Sequence, residues 1–108
     1  MDYDDLKTKK GREFWGRPTW NIFHCIAKKY HPNQAPYIKK LINSCTFLLP
    51  CDECKEHLKI NLKSFPPDKY LKNSDTLSFY FYTLHDQVNQ QINARLLKNK
   101  SSSSRVEL

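Results

Sequence analysis

Residues 76–98 read TLSFYFYTLHDQVNQQINARLLK, and the way this stretch folds decides the class of the whole chain. Its first half, LSFYFYTL, is rich in aromatic residues and is compatible with a β-strand. Ser74 or Asp75 stands before it as a helix cap, and an apolar line recurs every fourth residue from Leu84 to Leu96. The capped start and the long helical pattern together predict one helix.

Three further helices are predicted on the N-terminal side of this stretch. The first begins within residues 15–19, so that Pro18 lies in its first turn, where proline is tolerated, and it ends at Tyr30. The second covers about 37–49, and the third covers about 51–63. Four helices with short links, in a chain with only 2 glycines, predict an all-α four-helix bundle, with a short fifth helix as an option.

The length of 108 residues is enough for one domain. Residues 1–12 are polar and are expected to be a flexible segment. The folded domain is expected to span 13–99, and the serine-rich tail 100–108 is expected to be disordered.

The charge and hydropathy of the chain exclude some classes of partner. The formal net charge is +7, but the basic residues are spread along the chain, which favours a solvated basic surface over a nucleic-acid footprint. No apolar run approaches the roughly 18 residues of a membrane span. The N-terminus MDYDDLKTKK resembles neither a secretory signal nor a transit peptide. We therefore expect no nucleic acid and no membrane as partners.

Cys51 and Cys54 form a CxxC pair that could bind a metal, form a structural bridge or transfer electrons. On a helix the two residues lie on one face, about 4.5 Å apart along the axis, which is compatible with a disulfide. Closing a loop this short adds little stability, so a disulfide here is better suited to redox exchange than to stabilising the fold. Pro50 would place Cys51 in the first helical turn, where the dipole favours a thiolate.

A zinc site would need Cys51, Cys54 and two more ligands, for example His57 and another histidine. No second CxxC or HxxxH motif completes such a set, so no metal is expected. Cys25 and Cys45 are left as buried thiols, a bridge between them or an electron relay.

A polar line on the last helix is the second informative feature. His85, Asn89 and Asn93 follow one another at helical spacing beside the apolar line, and His24 lies one turn after Trp20 on the first helix. Each residue alone is more often a satisfied polar group than a ligand. Together they predict a site between two helices for a large, flat, partly polar molecule.

These motifs together resemble the Erv/ALR family of FAD-dependent sulfhydryl oxidases. The matching parts are WGRPTW at 15–20 with His24 after it, PCDEC at 50–54 with His57 after it, and HDQVN at 85–89. Their order and spacing extend over most of the chain. The short single-domain form is similar to the versions carried by large DNA viruses.

The resemblance implies a helical bundle that holds FAD non-covalently and forms homodimers. It implies oxidation of protein dithiol substrates, with a thioredoxin-like carrier among the candidates, and transfer of electrons through Cys51–Cys54 to FAD and then to O2, giving H2O2. Carried over by position, Cys54 would face the flavin, while Cys51 would be the more accessible sulfur that exchanges with substrate. The residues expected to bind the cofactor are Gly16, Arg17, Trp20, His24, His57, His85, Val88, Asn89, Asn93 and Arg95.

Two matters remain open at this level. The alternative function is a small zinc-stabilised basic module that binds nucleic acid. The compartment is expected to be the cytoplasm, meaning host cytoplasm or virion for a viral protein, with the mitochondrial intermembrane space as the alternative.

Overall fold

The computed structural model describes residues 2–99, with the side chains of Asp2 and of residues 4–94. This part contains five α-helices and no strand, so the all-α prediction is confirmed. The helices are α1 (Tyr3–Leu6), α2 (Lys9–Lys28), α3 (Ala35–Leu48), α4 (Asp52–Ser64) and α5 (Ser74–Asn99). Short 3-10 turns at Pro32–Gln34 and Pro67–Tyr70 complete the connections. The predicted disordered tail 100–108 lies outside the described residues.

Helix α5 supplies the centre of the hydrophobic core. Its largest fully buried side chains are Leu77, Tyr80, Phe81 and Leu84, which pack mainly against α2. The stretch LSFYFYTL is therefore helical, as predicted, and its buried side chains recur at intervals of three or four residues. Phe79 and Tyr82 are exposed, whereas the rings of Tyr80 and Phe81 face the core. Burial of these rings provides much of the apolar stabilisation of a chain this short.

The cap of α5 differs from the prediction by one or two residues. Asn73, and not Ser74 or Asp75, accepts the backbone N–H of Thr76 at 2.9 Å through its side-chain oxygen. The Thr76 hydroxyl in turn accepts the backbone N–H of Asn73 at 3.1 Å. This reciprocal arrangement satisfies two backbone donors at the helix start, which explains why Asn73 takes the cap position.

Helix α2 begins at Lys9, well before the predicted start within residues 15–19. Pro18 consequently lies inside the helix, where its exposed ring removes one backbone hydrogen bond. Tertiary contacts with α1 account for the longer helix. The indole Nε1 of Trp15 donates to the carbonyl of Leu6 at 2.9 Å, and a Cβ built on Gly11 would lie only 1.9 Å from the carbonyl oxygen of Asp5. The predicted flexible segment 1–12 therefore includes α1 and the first turn of α2.

Two tyrosine hydroxyls link the segments between helices to the hydrophobic core. Tyr30, near the end of α2, donates to the carbonyl of Leu71 at 2.7 Å. Tyr80 of α5 donates to the carbonyl of Phe65, the residue that caps the end of α4, at 2.8 Å. Both bonds satisfy carbonyl groups that the helix ends and turns leave without a backbone partner. Within residues 2–99, no helix is both long enough and apolar enough to span a membrane.

We expect Tyr80→Phe to lower the free energy of unfolding by about 1–2 kcal/mol, because the buried carbonyl of Phe65 loses its hydrogen bond while the ring remains in place. Denaturant unfolding followed by circular dichroism measures this change. Tyr37→Phe, at an exposed position, is the matched control and should unfold with the wild type. Equal midpoints for the two variants would show that the Tyr80 hydroxyl contributes no stability.

Candidate active site

A cleft opens between α2, α3, α4 and α5. It encloses about 850 Å³, including its open mouth, and its walls are mainly apolar and aromatic. Sites for small molecules have similar walls, with a few polar groups among apolar and aromatic side chains. The side chains along it are Arg12, Trp15, Gly16, Thr19, Trp20, Phe23, Ile42, Cys45, Leu49, Glu53, Cys54, His57, Leu58, Phe81, Leu84, Val88, Gln91 and Ile92.

The CxxC pair lies where α4 begins, on one wall of this cleft. Cys51 has extended backbone angles and is the N-cap of α4, so it lies one position outside the helix and not in its first turn as predicted. Its sulfur accepts the backbone N–H of Cys54 at 3.3 Å. The cap position arises because the extended chain after Pro50 enters a helix whose first N–H groups lack backbone partners. Both cysteines are thiols in this structure.

The two sulfurs differ in accessibility, and the order is the reverse of the one expected. Cys51 is only 3% exposed, whereas Cys54 is half-buried and lines the cleft. The expectation that Cys51 is the more accessible sulfur is therefore wrong. A residue at the start of a helix is not exposed by that position alone, because neighbouring elements decide what covers it.

The ionisation of the pair is strongly asymmetric. A hydrogen bond from the Cys54 thiol lowers the pKa of Cys51 to about 6, with further help from the Cys54 backbone N–H and against the effect of burial. The same hydrogen bond raises the pKa of Cys54, as do burial and the negative charge of Cys51. In the reduced pair this asymmetry favours the negative charge on Cys51 and the proton on Cys54.

Two charged side chains on the cleft wall act on this pair in opposite directions. The positive charge of Arg12 lowers the pKa of both cysteines, and the negative charge of Glu53 raises it. Glu53 also lies 4.0 Å from Nε2 of His57, one turn further along α4. The sulfur of Cys51 is thus influenced by a positive charge from α2, Arg12, and by a negative charge from α4, Glu53.

A stack of aromatic rings joins α2 to α5 beside the cleft. The ring of Trp20 stacks on His85 at a centroid distance of 4.4 Å, and the ring of His24 stacks on Tyr82 at 4.2 Å. Nε2 of His24 lies 3.2 Å from Nδ1 of His85, so one of the two nitrogens carries the proton of a hydrogen bond. Burial, together with the charge of Lys28, lowers the pKa of His24, which favours the neutral imidazole.

The stack contains a buried ring nitrogen with no partner in the described part of the chain. Nδ1 of His24 is buried and has no hydrogen-bond partner among the residues that the structure describes. A buried polar atom without a partner is costly, and such atoms commonly indicate a missing ligand or water. The stack and the adjoining apolar cleft therefore match a flat ring system with polar edges.

The structure brings together part of the predicted cofactor site. Gly16, Trp20, His57 and Val88 line the cleft with Cys54, and His24 and His85 pack in the ring stack next to Trp20. Three other candidates are not among the residues along the cleft: Arg17 is exposed on α2, and Asn89 and Asn93 are half-buried on α5. The side chain of Arg95 lies outside the described part.

Several polar residues of the cleft were not predicted, among them Arg12, Cys45 and Gln91. Arg12 was assigned to the flexible segment, although it precedes Gly16 and Trp20 at intervals of four residues and so shares their helix face. Cys45 is half-buried on the wall formed by α3, and Gln91 lies on α5. No local signal identifies Cys45 or Gln91, because their position depends on the packing of α3 and α5 against α4.

The cysteines outside the CxxC pair are both free. Cys25 is exposed on α2, so the expectation of a buried thiol is wrong for this residue, and no bridge joins it to Cys45. Burial raises the pKa of the Cys45 thiol, which keeps it protonated. In the part of the chain that the structure describes, no three His, Cys, Asp or Glu side chains group as metal ligands.

Comparison with known proteins gives consistent relatives. The chain is 28% identical over 100 residues to "Putative FAD-linked sulfhydryl oxidase 096R" of Invertebrate iridescent virus 3, covering 89% of this chain and 68% of that one. It is 24% identical over 100 residues to "Probable FAD-linked sulfhydryl oxidase R368" of Acanthamoeba polyphaga mimivirus, covering 88% and 70%. It is 28% identical over 85 residues to "FAD-linked sulfhydryl oxidase ERV1" of Arabidopsis thaliana, covering 75% of this chain but only 44% of that protein.

No solved structure matches the chain significantly. The sequence profile of the Erv1 / Alr family, however, matches residues 17–107. That range contains the CxxC pair. It also contains all of α3, α4 and α5 and most of α2, the four helices that enclose the cleft. The chain therefore belongs to the Erv1 / Alr family.

Proposed function

We propose that this protein is an FAD-linked sulfhydryl oxidase that forms disulfide bonds in protein thiol substrates. The names of its relatives and its family support this activity. The observation that carries the proposal is the position of Cys54, which lines an apolar, aromatic cleft while hydrogen-bonded to a thiolate that is itself shielded from water. Electrons from two substrate thiols would pass through Cys51–Cys54 to FAD and then to O2, giving one disulfide and one H2O2.

The residues present suit the flavin. Trp20, Phe23, Leu84 and Val88 offer flat apolar surface to a ring system, and Nδ1 of His24 offers a buried polar partner. When bound, FAD accepts the electron pair of the thiols and passes it to oxygen. The exposure of Cys54 is directed into the cleft, so the bound cofactor would cover it.

The thiol chemistry follows from the asymmetry of the pair. In the oxidised enzyme a substrate thiolate attacks the sulfur of Cys51, the Cys51–Cys54 bond breaks, and Cys54 leaves as a thiolate. A second substrate thiolate then attacks the substrate sulfur of the mixed disulfide and releases Cys51. Because its pKa is lowered to about 6, Cys51 is a good leaving group in this step.

Cys54 needs to lose its proton before it can react at the cleft. The hydrogen bond that it donates to Cys51 gives this proton a direct acceptor. Since Cys51 is buried, exchange with a protein thiol also requires a local opening around this sulfur. In this proposal the shielded sulfur of Cys51 exchanges with substrate, and the sulfur of Cys54 reacts at the cleft.

We also propose a homodimer that acts on protein dithiols, with a thioredoxin-like carrier among the candidates. Phe14 and Ile22 are 65% and 59% exposed, and with the exposed Pro18 between them they form an apolar stripe on α2 that a second copy could cover. The cytoplasm, or the host cytoplasm and virion for a viral protein, remains the proposed location. The intermembrane space remains its alternative.

We expect Cys54→Ser to abolish turnover while the purified protein stays yellow, because the flavin site persists but the sulfur that faces it is lost. Peroxide formation with a small dithiol in air measures turnover, and visible absorbance measures the flavin. Cys25→Ser, at an exposed position, should keep wild-type activity. Full activity of Cys54→Ser would remove this residue from the mechanism, and a colourless wild-type protein holding zinc would support the nucleic-acid-binding alternative.

His85→Ala should weaken flavin binding by about tenfold, because the ring that stacks on Trp20 and the partner of His24 are both lost. The dissociation constant of FAD for the deflavinated protein measures this effect. The exposed His31 supplies a matched control, since His31→Ala leaves the stack intact. Equal affinities of the two variants would show that the ring stack does not contribute to flavin binding.

In the reduced protein, one thiolate should titrate near pH 6, since the pKa of Cys51 is lowered to about 6. The difference in thiolate ultraviolet absorbance between the wild type and Cys51→Ser isolates this group. Arg12→Ala should move the midpoint upward because a nearby positive charge is removed, whereas Lys10→Ala, at an exposed position, should not. A midpoint above pH 8 in the wild type would contradict the proposed thiolate.

A further inference from the structure

Two of the helices that line the cleft, α4 and α5, carry the residues that matter for the proposed electron transfer. Helix α4 carries Cys54, and α5 contributes Val88 and Ile92 to the lining. The proposed electron transfer requires contact between the sulfur and a ring held between these helices. An error of about 1 Å in such a distance can lower a rate by roughly 100-fold. The fold therefore needs a device that holds α4 at a defined distance from α5.

The side chains of Asn61 on α4 and Gln91 on α5 form a reciprocal amide pair. Nδ2 of Asn61 donates to Oε1 of Gln91 at 3.2 Å, and Nε2 of Gln91 donates to Oδ1 of Asn61 at 2.8 Å. Asn61 is only 4% exposed, and Gln91 is half-buried and lines the cleft. Each amide thus uses one donor and its acceptor on the other, in an otherwise apolar region.

The pair lies on the same helix faces as the reacting groups. Asn61 follows Cys54 by seven residues, which is two helical turns, and so lies on the same face of α4. Gln91 follows Val88 by three residues on α5. Gln91 thus lines the cleft, and Asn61 lies one turn beyond the last α4 residues that do.

An amide pair constrains position in a way that apolar packing does not. Two hydrogen bonds that close a ring between planar groups permit only a narrow range of distance and rotation. Apolar side chains of similar volume provide burial without this directional requirement. A slide or rotation of α4 past α5 would break both bonds. Such a movement is unfavourable, because buried amides without partners are costly.

We propose that Asn61 and Gln91 are positioning residues that hold Cys54 at the distance from the cofactor that electron transfer requires. This inference rests on the proposed oxidase function. It assigns to the pair a role in the rate of electron transfer, in addition to its contribution to stability. Truncation of either side chain to alanine leaves the other amide without its partner, so it lowers both stability and rate and cannot separate the two roles.

The double variant Asn61→Leu/Gln91→Met separates them. Replacement of both amides by apolar groups of similar size keeps stability close to that of the wild type. We expect this variant to bind flavin and to keep the KM for a small dithiol, while its flavin is reduced roughly 10- to 100-fold more slowly in single-turnover mixing without oxygen. Tyr80→Phe is the matched control, because it removes another hydrogen bond between the end of α4 and α5 that lies away from the cleft.

A spectroscopic measurement reports the same geometry without turnover. In a Cys51→Ser background, a Cys54 thiolate in contact with oxidised flavin gives a long-wavelength absorbance band. We expect the double variant to lose most of this band and Tyr80→Phe to keep it. A wild-type band and a wild-type rate of flavin reduction in the double variant would overturn the proposal, as would an equal slowing in Tyr80→Phe.

Gln91→Glu provides a second test that does not depend on the folding of the double variant. The carboxylate still accepts from Asn61 but cannot donate to it, whereas the protonated carboxyl can do both. The rate of flavin reduction relative to the wild type at the same pH should therefore rise as the pH falls, and a constant ratio would contradict the proposal. The wild type and Cys54→Ser test the oxidase function itself, so a failure of that function is distinguishable from a failure of the amide pair.

Discussion

The hydrogen bonds that Cys54 donates to the sulfur of Cys51 connect the fold of this protein to its chemistry. The backbone N–H of Cys54 caps α4 through that sulfur, and the Cys54 thiol donates to the same atom. The first bond starts a helix directly after Pro50, and the second favours charge on one sulfur and protonation of the other. The start of α4 and the different ionisation of the two cysteines thus have the same local cause.

The rest of the molecule gives this pair a suitable environment. Leu77, Tyr80 and Phe81 of α5 are completely buried and form the centre of the core. Beside this core the helices leave an apolar cleft, lined by Cys54, that the protein does not fill by itself. A ligand that occupies this cleft would bury the walls and stabilise the folded state, so cofactor binding and folding should be coupled.

Charge and shielding then divide the tasks of the two cysteines. Cys51 is covered, next to Arg12, and has a lowered pKa, which in the proposed mechanism would make it a good leaving group that stays shielded from solvent. Cys54 faces the cleft and stays protonated while Cys51 carries the charge. The Asn61–Gln91 pair links the helix of the cysteines to α5, which also lines the cleft.

The sequence by itself determined the features that depend on local spacing. Helical periodicity predicted the all-α class, Pro50 and the CxxC spacing predicted a redox pair at a helix start, and the recurrence of apolar residues predicted the inner face of α5. Only the tertiary structure decided which residues meet across helices. The burial of Cys51, the extension of α2 back to Arg12 and the amide pair all depend on how separate helices pack. Spacing along one helix determines its faces, but the angle and distance between two helices depend on the whole set of side chains between them.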